Sequence, residues 1–188
     1  MKKILCIIVG MLCLLPLGAK VKLPAIIGND MVLQQNTNVN LWGWATRSRK
    51  ITVRTSWDNK NYTTTSASDG TWKIQVQTPS AGGPYTITIS DGKPVTLTNV
   101  LIGEVWLCSG QSNMELTVAR VADMFGRETA TYENSMVRYV KTPYGNDLHG
   151  PKEDISQMNW TALNPQVAQS YACLLYTSPS PRDSTSSR

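Results

Sequence analysis

The chain has 188 residues, 41% of them hydrophobic and 16% charged, with a formal net charge of +5. That is room for one ordinary domain or two small ones, with enough apolar content for a packed core, and it excludes an intrinsically disordered chain. The positive charge does not define a nucleic-acid partner. Lys2 and Lys3 sit at the start and Arg182 and Arg188 at the end, while the fourteen basic and twelve acidic residues from Lys20 to Ala172 are scattered, with no basic stripe.

Lys2-Lys3 forms a short positive segment, Ile4 to Leu15 an apolar one, and Leu17-Gly18-Ala19 ends in small residues. Residues 1–19 are therefore expected to be a Sec-type signal peptide, and the protein secreted or periplasmic. The apolar run is short for a membrane span, so no stable membrane insertion is expected, a retained anchor being the alternative. Leu12 before Cys13 fits a lipidation site poorly, because that site wants a small residue. Cys6 and Cys13 fall in the leader and Cys173 near the end, which leaves Cys108 without an intrachain partner. No Cys/His cluster has zinc-ligand spacing, so neither a metal nor another cofactor is expected.

From residue 20 to 100 the pattern is β throughout. Runs rich in Val, Ile, Thr, Tyr and Trp alternate with polar residues, which predicts strands at Met31–Gln34, Val39–Ala45, Lys50–Trp57, Asn61–Ser66, Thr71–Thr78, Tyr85–Ser90 and Val95–Asn99. Turn chemistry separates them at Asp58-Asn59, Ser68-Asp69-Gly70, Pro79 to Pro84 and Asp91-Gly92. Seven short strands at this spacing predict a β-sandwich. Trp42 and Trp44, two apart, share one side of their strand. Core packing is the expected reason, a sugar-stacking platform the alternative.

The character changes near Leu101. Val105-Trp106-Leu107-Cys108 is apolar without alternation, as in a strand covered on both faces of a parallel sheet. Cys108, placed inside it, is expected to act as a small hydrophobe and not as a nucleophile. Leu116, Ala119, Val121 and Met124 recur at roughly helical spacing, and Met136–Lys141 reads as a further strand followed by a polar loop from Tyr144 to Ile155. Strand, turn, helix and strand open an α/β domain. Residues 101–172 are thus expected to begin such a domain. The run Cys173–Asp183 resembles the translation of a sequencing-library adapter and continues as Ser/Thr-rich sequence. Residues 173–188 are therefore expected to be a non-native tail; a natural Ser/Pro-rich tail is the alternative.

A strand ending in Ser109-Gly110-Gln111-Ser112 and opening a helix holds a serine proud of a sheet edge, with free helix N–H groups beside it to stabilise an oxyanion. Taken alone, Gly-x-Ser is a weak signal that also describes ordinary loops. The longer run Gly103-Glu104-Val105-Trp106-Leu107-Cys108-Ser109-Gly110-Gln111-Ser112-Asn113-Met114-Glu115 resembles the nucleophile block of the sialate O-acetylesterase family, within the SGNH (GDSL-like) hydrolases. Leu23-Pro24, Asn29 to Gln35 and Val39 to Ala45 resemble that family's N-terminal sandwich, and Trp160 through Ala172 the stretch before its next helix. The resemblance spans roughly Val21 to Ala172.

It implies a mixed fold, an N-terminal β-sandwich followed by the truncated start of an α/β SGNH-hydrolase domain. It implies that Ser112 attacks an acetyl ester on a sugar hydroxyl to give an acetyl-enzyme. In that family the base is a histidine preceded by an aspartate near the C-terminal end. Further oxyanion donors, a glycine and an asparagine, come from later blocks. Gly110, Gln111 and Asn113 match the motif, and each also suits a turn held by local hydrogen bonds. His149, the single histidine, lies in a loop-like stretch where Asp147 does not reproduce the family's spacing; a solvated histidine is expected there. The partner implied is an O-acetylated sugar, sialic acid foremost and acetylated xylan as a related target. Two other readings remain open: a non-catalytic carbohydrate-binding module, and a structural fragment without activity of its own.

Overall fold

The computed structural model describes residues 21–108, 117–123, 127, 130–143, 145, 148–155 and 158–170. The expected signal peptide 1–19 and the tail 173–188 lie outside the described residues, as do Gly110, Gln111, Ser112 and Asn113.

Seven strands form in the first half: β1 (Val32–Gln34), β2 (Asn38–Trp44), β3 (Lys50–Thr55), β4 (Asn61–Thr65), β5 (Thr71–Gln77), β6 (Gly82–Ser90) and β7 (Pro94–Gly103). Each corresponds to one of the predicted runs. The reason is visible in β3, where Ile51, Val53 and Thr55 are fully buried and alternate with exposed or half-exposed neighbours. Five strands make one sheet in the order β1-β7-β6-β3-β4, and β2 pairs with β5 in a two-stranded ribbon. Both contribute to one core of Met31, Leu41, Ile51, Val53, Trp72, Val76, Ile87, Ile89 and Val100, with Tyr62, Tyr85 and Trp160 packed around it. Burial of this kind contributes about 1.5–3 kcal/mol per large apolar side chain.

The turn between β3 and β4 shows how local chemistry sets the pairing. Asn59 takes a positive φ of 55°, and the Asp58 carboxylate accepts hydrogen bonds from the Thr55 hydroxyl, the Lys60 N–H and the Tyr62 hydroxyl. Desolvation pushes the Asp58 carboxyl up, but those bonds and the Lys60 ammonium outweigh it and hold the carboxyl below the usual aspartate value.

β7 runs four residues past the predicted Asn99. Its pairing with β6 steps from Ile87↔Leu97 to Tyr85↔Val100, so one extra residue is accommodated on β7. Asn99 sits there at φ 56°. The Thr98 N–H donates to Asn29 Oδ1 at 2.9 Å, and the Asp30 N–H donates to Thr98 O at 3.1 Å. Across this bulge alternation gives way to a continuous buried run, Val100, Leu101 and Ile102. The second stretch of β7 pairs in parallel with β1, in the register Val32↔Leu101, Leu33↔Ile102 and Gln34↔Gly103. The change of character expected near Leu101 therefore falls after Gly103.

Trp42 and Trp44 correct the core-packing expectation. Leu41 and Gly43 face inward on β2, so the two tryptophans between and beyond them face out; Trp42 is 37% exposed and Trp44 half-buried. Gly43 occupies the inner position because the backbone of Lys22 crosses there, bonded both ways to Trp44 at 2.8 Å. A Cβ on Gly43 would meet Lys22 O at 2.3 Å and Trp72 at 3.2 Å.

Among its described residues the second half holds two strands, a 3-10 turn and a short helix. β8 (Asn134–Tyr139) pairs antiparallel with β9 (Thr161–Leu163), and a short helix α1 (Pro165–Ser170) follows. Val118, at the start of a 3-10 turn over Val118–Val121, is buried with Leu163 and Ala168. The helix predicted over Leu116–Met124 is represented by this turn, both end residues lying outside the described ones. Hydrogen bonds tie this half to the first: the Ala25 N–H donates to Asp154 Oδ1 at 2.9 Å, and Trp160 Nε1 donates to Ile26 O at 2.8 Å. Among the described residues no helix is long and apolar enough to cross a membrane.

Gly43→Ala should destabilise the chain by about 1–3 kcal/mol, the usual cost of forcing atoms into a filled interior. Urea unfolding of the 188-residue chain measures this. An unchanged midpoint would contradict the close backbone approach.

Candidate active site

The serine block begins where β7 leaves the sheet, and the departure is built from side chains at the end of β1. Gln34 Nε2 donates to Glu104 Oε2 at 3.0 Å, and Gln35 Nε2 donates to Glu104 Oε1 at 2.6 Å. The carbonyl end of each amide is also engaged. Gln34 Oε1 accepts the Val105 N–H at 2.9 Å, and Gln35 Oε1 accepts the Ala81 N–H at 2.8 Å. The Gln35 N–H continues the parallel ladder to Gly103 O at 2.9 Å, and Thr78 Oγ1 donates to Gln34 O at 2.7 Å. One carboxylate thus holds both amides, and the amides hold the backbone on either side of the exit. Hydrogen bonds from Gln34, then from Gln35, keep the Glu104 carboxyl below the ordinary glutamate value.

This clamp accounts for a correction. Val105–Cys108 was expected to be a strand covered on both faces. Instead the Val105 N–H is spent on the Gln34 side chain, no strand forms over 105–108, and the side chains stand out: Val105 43%, Trp106 80% and Leu107 95% exposed. Cys108 is likewise exposed, so the expectation of a thiol buried in an apolar strand does not hold. Beyond it lie Gly110, Gln111, Ser112 and Asn113.

His149 is exposed in a bend, and Asp147 lies outside the described residues. Among the described residues no group of three or more His, Cys, Asp or Glu side chains is arranged to hold a metal ion. The Gln34–Gln35–Glu104 clamp escaped the sequence reading. Its members are about seventy positions apart, and neither strand alternation nor the motif records a bond between distant polar side chains.

Comparison with known proteins follows the same outline. A crystal structure of a carbohydrate acetylesterase from Xanthomonas citri superposes with a TM-score of 0.76 at 29% identity, over 83% of this chain and 35% of that one. The fold described above is therefore that of a carbohydrate-acetylesterase relative. More narrowly, sialate O-acetylesterases from Homo sapiens and Pongo abelii are each 32% identical over 135 residues, and that from Rattus norvegicus is 30% identical over 129. The resemblance to the sialate O-acetylesterase family carried by Gly103–Glu115 is borne out, and the chain is a relative of those enzymes. It spans about a quarter of their length, 26% of the human and orangutan proteins. No family profile matches the chain.

Because the folded-state Glu104 value is depressed below 4.5, the clamp stabilises the fold above that pH, and the contribution is lost as pH falls through the lowered value. The Val105 amide resonance should therefore titrate with a midpoint below 4.5 in the 188-residue chain and lose this titration in Glu104→Gln. A midpoint at or above the ordinary glutamate value would show that the clamp is not formed.

Proposed function

We propose that the chain carries the nucleophile of a serine carbohydrate esterase that removes O-acetyl groups from sugars, sialic acids foremost. The similarity to acetylesterases over most of the chain carries this reading, together with Gly110-Gln111-Ser112-Asn113 following the anchored exit of β7. The two sheets around one core are read as an N-terminal β-sandwich, and the residues after Gly103 as the start of an α/β SGNH-like domain. Ser112 Oγ attacks the acetyl carbonyl, and the sugar hydroxyl departs with a proton. Water then cleaves acetyl-Ser112 to give acetate and the free serine. The N–H of Ser112 supplies one oxyanion donor, and Gly110 allows the tight approach. The base is the histidine of the family's later block, not His149.

In the full-length protein, Ser112→Ala should remove release of acetate from O-acetylated sialic acid or a chromogenic acetyl ester, by at least about a thousandfold for loss of a catalytic nucleophile. Undiminished turnover would refute the assignment. The 188-residue chain alone should release no acetate above its own Ser112→Ala control, since its one histidine is His149. Robust turnover by that chain would make His149, or another group in it, the base.

The leader reading places the protein outside the cytoplasm, secreted or periplasmic, with residues 1–19 removed. N-terminal sequencing of the exported product should begin at Lys20; a product starting at Met1 would contradict export by cleavage.

A further inference from the structure

On the ribbon's outer face the register sets Asn40 against Gln75, Trp42 against Lys73 and Trp44 against Thr71. The inner face of the same strands is aliphatic and aromatic, with Leu41, Trp72 and Val76 in the core, so the outer tryptophans are not needed to close it. Two grooves run along this face. The larger, of about 620 Å3, is lined by Asn40, Trp42, Thr64, Thr65, Thr71 and Lys73, among others, and the smaller, of about 260 Å3, by Trp42, Trp44, Thr71 and Glu153. Trp42, Thr71 and Trp72 line both, which makes them one trough.

The lining has a consistent chemistry. Trp42 is a partly exposed indole, and around it stand neutral amide and hydroxyl groups from Asn40, Thr64, Thr65 and Thr71. Lys73 is the only charged side chain in the larger groove. The Lys22 ammonium lies 4.9 Å from the Trp44 ring centroid, so this second indole already has a cation on its face. A flat apolar surface rimmed by neutral donors and acceptors suits a ligand with an apolar C–H face and a rim of hydroxyls. A pyranose ring has both. The larger groove has the volume of a small-ligand site.

We propose that the trough on the outer face of β2 and β5 binds a saccharide, with one pyranose ring stacked on Trp42 and its hydroxyls bonded by Asn40, Thr71 and Lys73. None of the residues that line the trough belongs to Gly103–Glu115, and the proposal does not rest on the esterase reading. It would hold a glycan against the protein whether or not the sugar carries an acetyl group.

Titration of the 188-residue chain with xylohexaose and, separately, 3′-sialyllactose, followed through the indole N–H resonances, tests this directly. At least one sugar should bind saturably with a dissociation constant on the order of 1 mM and shift the Trp42 resonance. Trp42→Ala should weaken binding at least about tenfold, corresponding to about 1.4 kcal/mol. Asn40→Ala, on the same exposed face, should give a smaller loss, and Tyr132→Ala, exposed elsewhere, none. Binding of xylohexaose assigns the trough to neutral rings; binding of sialyllactose alone assigns Lys73 to the carboxylate. No shift with either sugar at about 10 mM, tenfold above that constant, or equal binding by Trp42→Ala and Asn40→Ala, would overturn the proposal.

Discussion

The parallel pairing of β1 with the last residues of β7 determines where the chain leaves the sheet, and one carboxylate fixes the direction in which it leaves. Glu104 accepts from the side chains of Gln34 and Gln35, and those same amides accept backbone N–H groups from Val105 and Ala81. Each bond is partly solvated and contributes modestly alone. Their effect is geometric: the ladder stops at Gly103, and the following residues emerge on a defined heading. A serine nucleophile gains rate from being held at a fixed point against its oxyanion donors. Ser112 lies eight positions after Glu104 in sequence. Among the described residues, the clamp is the last side-chain attachment before it.

The sheet arrangement supplies that clamp with a rigid base. Thr78 at the end of β5 bonds to Gln34 and Thr37, so the ribbon and the larger sheet meet at the same corner where β7 exits. Met31 and Leu101 lie just inside it, buried in the core and joined by the Leu101 N–H to Met31 O at 2.9 Å. Core packing, sheet register and the exit of β7 are thus coupled through Met31 to Gln35 on one side and Val100 to Val105 on the other.

Much of the first half was legible because strand alternation is a strong local signal. Ile51, Val53, Ile87 and Ile89 announce which face is buried. What escaped was whatever depends on distant residues. The bulge at Thr98-Asn99 ends the alternation, so Val100–Ile102 reads as a new segment although it continues β7. Trp42 and Trp44 look like core residues by type, yet Gly43, forced inward by the crossing backbone of Lys22, turns them out. Val105–Cys108 has the composition of a buried strand, but its first N–H is taken by a glutamine side chain. The likeness to sialate O-acetylesterases, by contrast, was legible from the unusual run Gly103–Glu115, without any knowledge of the fold.

The central claim is that Ser112 is the group that takes the acyl chain. The most direct measurement is to treat the full-length protein with a serine-directed fluorophosphonate and locate the adduct by peptide mass spectrometry. A single adduct on Ser112, formed in step with loss of acetylesterase activity, is the predicted result. Loss of activity with the adduct on another residue, or full activity with Ser112 modified, would contradict it.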